Sequence, residues 1–310
     1  MIDLVPVEPP AGSPAAVSPG LLRPRGDSLR VATLNLWWET EERRERHRIA
    51  GRLVDALGID ILLVQEVPSG SLAETIDVIV AESSLSLASL TPDVGETRNA
   101  VLSRLPSSEL PPVRFTVPES PCDQFAACAS VTTLSQRPLL LVSARLVWGG
   151  LLEHRRTLQA SALDAAVSRI LDDPLAVAVL GGDCNTTPSS STVRYMTGLE
   201  PFEGRTSQWT DAFAKSGLGT GVTTSGTNRW ARMTAERHGF LDPAGIPDRR
   251  IDFLFVRGYA HGRPFAPLRC FSVSPDMVTY LVPSAGFPPS DHNMVVADLW
   301  DPSFPGGGLS

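Results

Sequence analysis

Seven polar residues open or close apolar runs of β-strand character in this sequence: Asn35, Glu66, Asp183, Asn185, Asp252, Asp291 and His292. The stretch AVAVLGGDCN, from Ala176 to Asn185, shows the design most plainly. A short apolar run bounded by Gly and turn formers reads as a buried strand. Its two glycines are expected to let the backbone turn tightly at the strand's end. Asp183 and Asn185 then stand side by side at the rim of a sheet, where a carboxylate and a carboxamide can grip a metal, a water or a phosphate oxygen. One such residue is ordinarily a cap or a turn former; seven, each beside a core strand, point to chemistry. Oxygen ligands such as Glu66, Asn35 and Asp291 suit a hard cation, Mg²⁺ or alternatively Mn²⁺. Few histidines and no clustered cysteines argue against zinc. His292 can exchange a hydrogen bond with a phosphate oxygen while a carboxylate fixes its ring. An Asp beside an Asn can hold and deprotonate a water. The set suits hydrolysis of a phosphate ester, with a metal as Lewis acid.

Periodicity supplies the elements that must position these groups. Strands are predicted over 29–38, 60–67, 84–91, 99–104, 111–117, 126–134, 138–148, 176–183, 250–256, 266–273 and 293–300. Helices are predicted over 41–57, 71–82, 153–171 and 189–197, where apolar residues recur on one face. Gly58 follows the first of them in the place where a helix commonly ends. The run EERRER and His47 are read as a solvated face of that helix. His154, His238 and His261 are expected at the surface. Residues 200–249 read as loop-rich, with QWTDAF as one anchored helical turn and the Gly- and Thr-rich piece 217–228 on the surface. Trp37, Trp38 and Trp148 stand near strand ends, and core packing is the expected role of each. Strands and helices mix without a strict alternation, which favours two packed sheets with helices outside.

Composition narrows the class. The chain has 310 residues, 42% hydrophobic and 20% charged, with a net charge of −7. That balance fits a globular protein and gives no global basic field for duplex nucleic acid. Residues 1–28 and 302–310 read as flexible tails around one domain, 29–301. Cys122, Cys128, Cys184 and Cys270 show no metal spacing and read as free, mostly buried thiols. No run reaches the roughly 18 apolar residues of a membrane helix, and no signal peptide is evident. A cytoplasmic monomer with no obligate protein partner is the expectation.

The segments TLNLWW, LLVQEV, LGGDCN, RRIDFLFV and PSDHNMVVADL, in that order, are similar to the ordered motifs of the endonuclease/exonuclease/phosphatase superfamily, the DNase-I-like fold. NAVLSR and QWTDAF resemble further segments of the same family. The resemblance implies an α/β, four-layer αββα sandwich: two mainly antiparallel sheets face to face, with helices on both outer faces. It implies that Glu66 binds the metal, that Asn35 supports metal or phosphate, and that Asp291 is a metal-site carboxylate or stands just behind one. Asp183 then activates the attacking water or protonates the leaving group, with Asn185 orienting the phosphate. Asp252 orients the imidazole of His292, which contacts the scissile phosphate. Arg155 or Arg156 with Gln159 resembles a supporting R-x-x-Q pattern. One departure matters: many members carry His in a THL motif at the end of the central strand, or Tyr in repair nucleases, and here the stretch is SARL. Arg145 can give a bidentate, permanently charged contact to phosphate, or it points to solvent. The expected substrate is a phosphodiester or phosphomonoester, nucleic acid included. A lipid or inositol-phosphate phosphoesterase, or a binding protein that kept the fold with little catalysis, are the alternatives.

Overall fold

The computed structural model describes residues 27–118, 124–133, 137–171, 176–239, 245–258 and 265–301. Residues 1–26 and 302–310 of the expected tails lie outside that set, as do Cys122 and His261. Seven strands form one sheet: β1 (Ser28–Asn35), β2 (Ile61–Pro68), β3 (Ser86–Leu90), β4 (Thr97–Ser103), β10 (Gly217–Leu218), β12 (Pro267–Val273) and β13 (Met294–Trp300). Their order is β10-β12-β13-β1-β2-β4-β3. Six form the other: β5 (Ser107–Arg114), β6 (Phe125–Thr132), β7 (Pro138–Ser143), β8 (Val177–Asp183), β9 (Thr210–Asp211) and β11 (Asp252–Arg257), in the order β5-β6-β7-β8-β11-β9. The β1–β2, β7–β8 and β10–β12 pairs are parallel. The remaining pairs are antiparallel. Two long helices, α1 (Arg43–Leu57) and α3 (Glu153–Ile170), connect the β1–β2 and β7–β8 pairs, as parallel neighbours require. The shorter helices are α2 (Ile76–Ala81), α4 (Ser191–Met196), α5 (Ala212–Ser216), α6 (Arg229–Arg237) and α7 (Pro275–Leu281).

Alternation along the strands sorts the side chains into layers. Val31, Ile61, Leu63 and Val295 meet Leu139, Leu141, Val179 and Leu254 between the sheets. Ala32, Leu34, Leu62 and Val64 face the other way, onto Ile49, Leu53 and Leu57 of α1. Val142, Leu180, Phe253 and Phe255 pack against Leu163 and Val167 of α3. The result is the expected four-layer sandwich of two mainly antiparallel sheets.

Several local expectations need correction. Gly181 and Gly182 make no turn; both lie inside β8 with ordinary negative φ. Their lack of a side chain is what matters, because a Cβ on Gly182 would stand 1.7 Å from the Ala144 carbonyl oxygen. The strand predicted to Trp148 ends at Ser143, although Ala144 N–H and Leu146 N–H still bond the Gly181 and Asp183 carbonyls. The 71–82 helix is a 3₁₀ turn, Leu72–Glu74, followed by α2. The strand expected over 111–117 begins earlier, at Ser107, with a bulge at Pro111 and Pro112 that lets two prolines sit in it. Helices α6 and α7 were not expected. Each is started by a capping side chain, Asn228 and Ser274, whose oxygen accepts from a first-turn N–H. The 217–228 loop is exposed only in part, since Thr223, Ser225 and Asn228 are buried. Trp37 is buried as expected, whereas Trp38 and Trp148 are exposed.

The supposedly solvated face of α1 holds two fully buried residues, Arg46 and His47. The Arg46 guanidinium donates to the carbonyls of Leu36, Trp37, Glu39, Glu41 and Pro289, bracing the loop that follows β1. His47 Nδ1 lies 2.9 Å from the Glu74 carbonyl, and its Nε2 has no partner among the described residues. Burial, then the nearby Arg46 charge, hold this imidazole down at about 4, against a partial offset from the Glu74 carbonyl. The unfolded chain takes up this proton near pH 6.5 and the folded chain only near pH 4, so stability falls as pH drops through that window. The loss is up to roughly 3 kcal/mol. Urea unfolding at pH 7 and pH 4.5 should find His47→Gln less acid-sensitive than the natural chain by that order; equal losses in the two proteins would remove His47 from the account.

Cys128, Cys184 and Cys270 are free and buried. Burial pushes the Cys128 thiol up to about 12 and raises the other two, so none is poised as a nucleophile. Among the described residues no helix is long and apolar enough to cross a membrane.

Candidate active site

Strand direction gathers the singled-out residues at one end of both sheets. Asn35 ends β1 and Asp183 ends β8. Asp252 opens β11 directly opposite Asp183 in the antiparallel register. Asp291 and His292 stand just before β13, which runs antiparallel to β1. Asn35, Asp183 and Asp252 share the phase of Val31, Val179 and Leu254, so they cap the layer between the sheets. Glu66 does not share that phase. Simple alternation would aim it with Leu62 and Val64 toward α1. The register of β2 against β4 shifts between Val64 and Val67, and Glu66 takes a left-handed φ of 58°. That bulge turns its carboxylate to the site. Trp37 and Asn185 also have positive φ, at 57° and 52°; such strain persists where surroundings over-determine it, commonly at functional sites.

The side chains form one buried network. Asn35 Nδ2 donates to Glu66 Oε1 at 2.9 Å and to Asp183 Oδ2 at 3.1 Å. Its oxygen is taken by Trp37 N–H at 2.9 Å, so Asn35 offers the carboxylates its nitrogen and serves here as a brace. Glu66 Oε2 accepts from Trp38 N–H at 3.2 Å. Asp183 accepts Asn185 N–H at 2.8 Å and Asn185 Nδ2 at 3.0 Å, while that same nitrogen reaches the Leu146 carbonyl. His292 Nδ1 lies 2.8 Å from Asp252 Oδ2. Its Nε2 stays outside hydrogen-bond range of Asp291, at 3.8 Å. Asp291 accepts from Thr234 of α6 and from Ser290, whose hydroxyl also bonds the Asn35 carbonyl.

Arg145 is paired with site carboxylates and only part of its side chain meets solvent. Its Nη2 is 2.8 Å from Glu66 Oε1, and its Nε is 3.6 Å from Asp183 Oδ2. Gln159 and Arg156 bond the Val147 main chain, supporting the segment that carries Arg145. Sequence reasoning missed Arg46, Thr223 and Thr234. Thr223 accepts from the N–H groups of Ile251 and Asp252, and its carbonyl accepts from Asn293 N–H at 2.7 Å. It thereby ties together the chain segments that carry Asp252 and His292. The only signal for it was the length of its loop. Two further arginines close in sequence to site strands are engaged elsewhere. The Arg250 side chain pairs instead with Asp211, and Arg98 with Asp93 and the Thr91 carbonyl.

Electrostatics follows from burial. Burial opposes the charge on His292, but Asp252, Asp291 and Asp183 outweigh it and raise its pKa well above the ordinary value. Burial opposes ionisation of Glu66 as well, yet Arg145 and Asn35 hold it below the usual range. Asp183 and Asp291 are raised, chiefly by burial. Four buried acidic side chains therefore face one guanidinium and one imidazole, and Asp252 Oδ1 is buried without a partner among the described residues. Donor atoms of Asp183, Asp252 and His292 lie within 4.8 Å of one another, a group that does not include Glu66 or Asp291. Surplus negative charge and oxygen donors fit a hard divalent cation.

A buried His–Asp pair stands beside an Asp–Asn pair at one end of a DNase-I-like four-layer sandwich. Residues 32–292 match the family model described as the endonuclease/exonuclease/phosphatase family, and the chain belongs to that family. Solved structures agree on the fold. Truncated TDP2 from Caenorhabditis elegans is similar with a TM-score of 0.63 and 16% identity, over 89% of this chain and 99% of that one. A mannosyl-6-phosphatase from Bacteroides thetaiotaomicron gives 0.64 and 16%, over 88% and 99%. An endonuclease/exonuclease/phosphatase from Bacteroides vulgatus gives 0.63 and 19%, over 88% and 98%. No curated protein matches the chain.

Proposed function

We propose that this protein hydrolyses a phosphodiester or phosphomonoester by metal-assisted, in-line attack of water. The observation that carries the reading is the 2.8 Å His292–Asp252 contact, clustered with a buried Asp183 that accepts from Asn185. Glu66 and Asp291 would hold a Mg²⁺ or Mn²⁺ ion, with Asn35 bracing Glu66. When bound, that ion would supply Lewis-acid polarisation and charge neutralisation at the phosphate. Asp183 takes the proton of the attacking water, or returns one to the leaving group, and Asn185 holds the phosphate's orientation. Asp252 fixes the His292 ring through Nδ1 and leaves Nε2–H to donate to a phosphoryl oxygen. The raised pKa of Asp183 suits a group that must accept a proton near neutrality.

The solved structures similar in fold include a mannosyl-6-phosphatase, which supports a small phosphoester among the substrates. A second reading, a lipid or inositol-phosphate ester, draws on the exposed Trp38, whose N–H bonds Glu66, and on the exposed Trp148, three residues after Arg145. Both readings are tested with metal-stripped protein and a panel of p-nitrophenyl phosphate, bis-p-nitrophenyl phosphate, plasmid, single-stranded DNA, RNA, sphingomyelin and inositol phosphates. Turnover that requires Mg²⁺ or Mn²⁺ and stops with EDTA is expected, and the preferred member of the panel assigns the class. A folded, metal-loaded protein that turns over none of them would favour a binding role instead.

A further inference from the structure

The residue that departs from the family pattern has an unexpected partner. Arg145 lies against Glu66, the carboxylate assigned to the metal, with Nη2 to Oε1 at 2.8 Å. The same oxygen already accepts from Asn35, and Oε2 accepts from Trp38 N–H, so both Glu66 oxygens are engaged. The other reach of the guanidinium falls short. Its Nε is 3.6 Å from Asp183 Oδ2, and it is buried with no hydrogen-bond acceptor among the described residues. The backbone on either side is pinned to β8 by the Ala144 and Leu146 N–H groups, so only the side chain can move. Part of that side chain remains open to solvent, at 29% exposure. Arginine stays charged at any working pH. Its charge cannot be titrated off Glu66; it has to be drawn away by an anion.

We propose that Arg145 is an exchangeable counter-ion for the metal carboxylate. It holds Glu66 in the metal-free protein, competes there with the divalent cation, and transfers to phosphoryl oxygens when substrate arrives. This rests on the phosphoesterase reading and on the metal role of Glu66. The unused Nε–H and the fork geometry of the guanidinium suit a second, bidentate partner, which a tetrahedral oxyanion supplies and a single carboxylate oxygen does not. Two consequences follow from linkage. Metal alone binds more weakly than the number of carboxylates suggests, and metal and oxyanion strengthen each other's binding by the same factor. The site is thereby biased toward loading metal together with substrate.

The test is Mn²⁺ binding, read by electron paramagnetic resonance or calorimetry on the metal-stripped full chain, with and without inorganic phosphate. Arg145→Gln should bind Mn²⁺ about tenfold or more tighter than the natural protein in the absence of phosphate, within the usual span of coupling factors. Phosphate should tighten Mn²⁺ binding to the natural protein by a similar factor, and to Arg145→Gln by far less. Arg145→Lys keeps the charge without the fork and should fall between the two. Equal Mn²⁺ affinity in the natural and Arg145→Gln proteins overturns the proposal and leaves the phosphoesterase reading standing. If Arg145→Gln does not fold, the natural protein decides alone, since no strengthening by phosphate overturns it. Folded proteins that bind no Mn²⁺ at all would overturn both the proposal and the metal role of Glu66.

Discussion

Replacing His292 with alanine is expected to lower kcat for phosphate-ester hydrolysis at least about 100-fold, and Asp183→Asn to do the same, with both proteins still folded. The His292 ring makes one strong contact, Nδ1 to Asp252, and its other nitrogen is held out of hydrogen-bond range of Asp291. Alanine removes the Nε2–H donor and leaves Asp252 with neither oxygen partnered, since Oδ1 already has none. Asp183→Asn is the gentler change. An amide retains the shape and can still accept from Asn185 N–H, but it cannot take a proton from water. Circular dichroism separates loss of fold from loss of chemistry. Near-wild-type rates in either folded variant would take that residue out of the mechanism.

Gly182→Ala should have the largest effect on stability. Its added Cβ would meet the Ala144 carbonyl oxygen at 1.7 Å and the carbonyl carbon at 2.8 Å. Those are backbone atoms, bonded on to β8 through Ala144 N–H and the Gly181 carbonyl, so they cannot give way as a flexible side chain would. Overpacking in a core commonly costs about 1–3 kcal/mol, and a clash with fixed main chain belongs at or beyond the upper end. Gly150→Ala is the control, because a Cβ there meets nothing within 4 Å; a change of less than about 0.5 kcal/mol is expected. Urea unfolding compares the two. Similar midpoints would mean that β8 and the segment after β7 can separate, and that the glycine pair is dispensable.

How far the sequence could be read depends on where each residue finds its partners. β8 was plain from Val177 to Asp183 because an apolar run, two glycines and a polar end all lie within a few positions. The reason for the glycines was not plain, since the atom they avoid belongs to Ala144 on another segment. Asp252 and His292 were legible as types at strand ends, while their pairing spans 40 positions and appears only in the fold. Arg46 was misread because its acceptors are carbonyls, one of them at Pro289, 243 positions away, and a run of charge looks the same on a solvated face. Helix α6 escaped notice for a similar reason. It is short and rich in charge, and it is secured by Trp230, whose ring nitrogen donates to the Pro288 carbonyl. The bulge at Glu66 left no trace in composition, since the run through LLVQEV looks regular.

The direct pairing of Asp183 with Asp252 also bears on how this site can change over time. Because side chains alternate along a strand, the β8–β11 ladder could survive a shift of one residue while every side chain on the shifted strand changed sides. Asp252 would then turn toward the layer that holds Phe253 and Phe255, and His292 would lose its acceptor. The site is therefore written in the length of these strands as much as in their letters. Substitutions beside it are tolerated according to size and charge, but insertions or deletions within β8 or β11 act as all-or-none changes. Variation in length belongs in connections away from that pair, and an enzyme with this architecture can diversify its rim while the spacing beneath stays fixed.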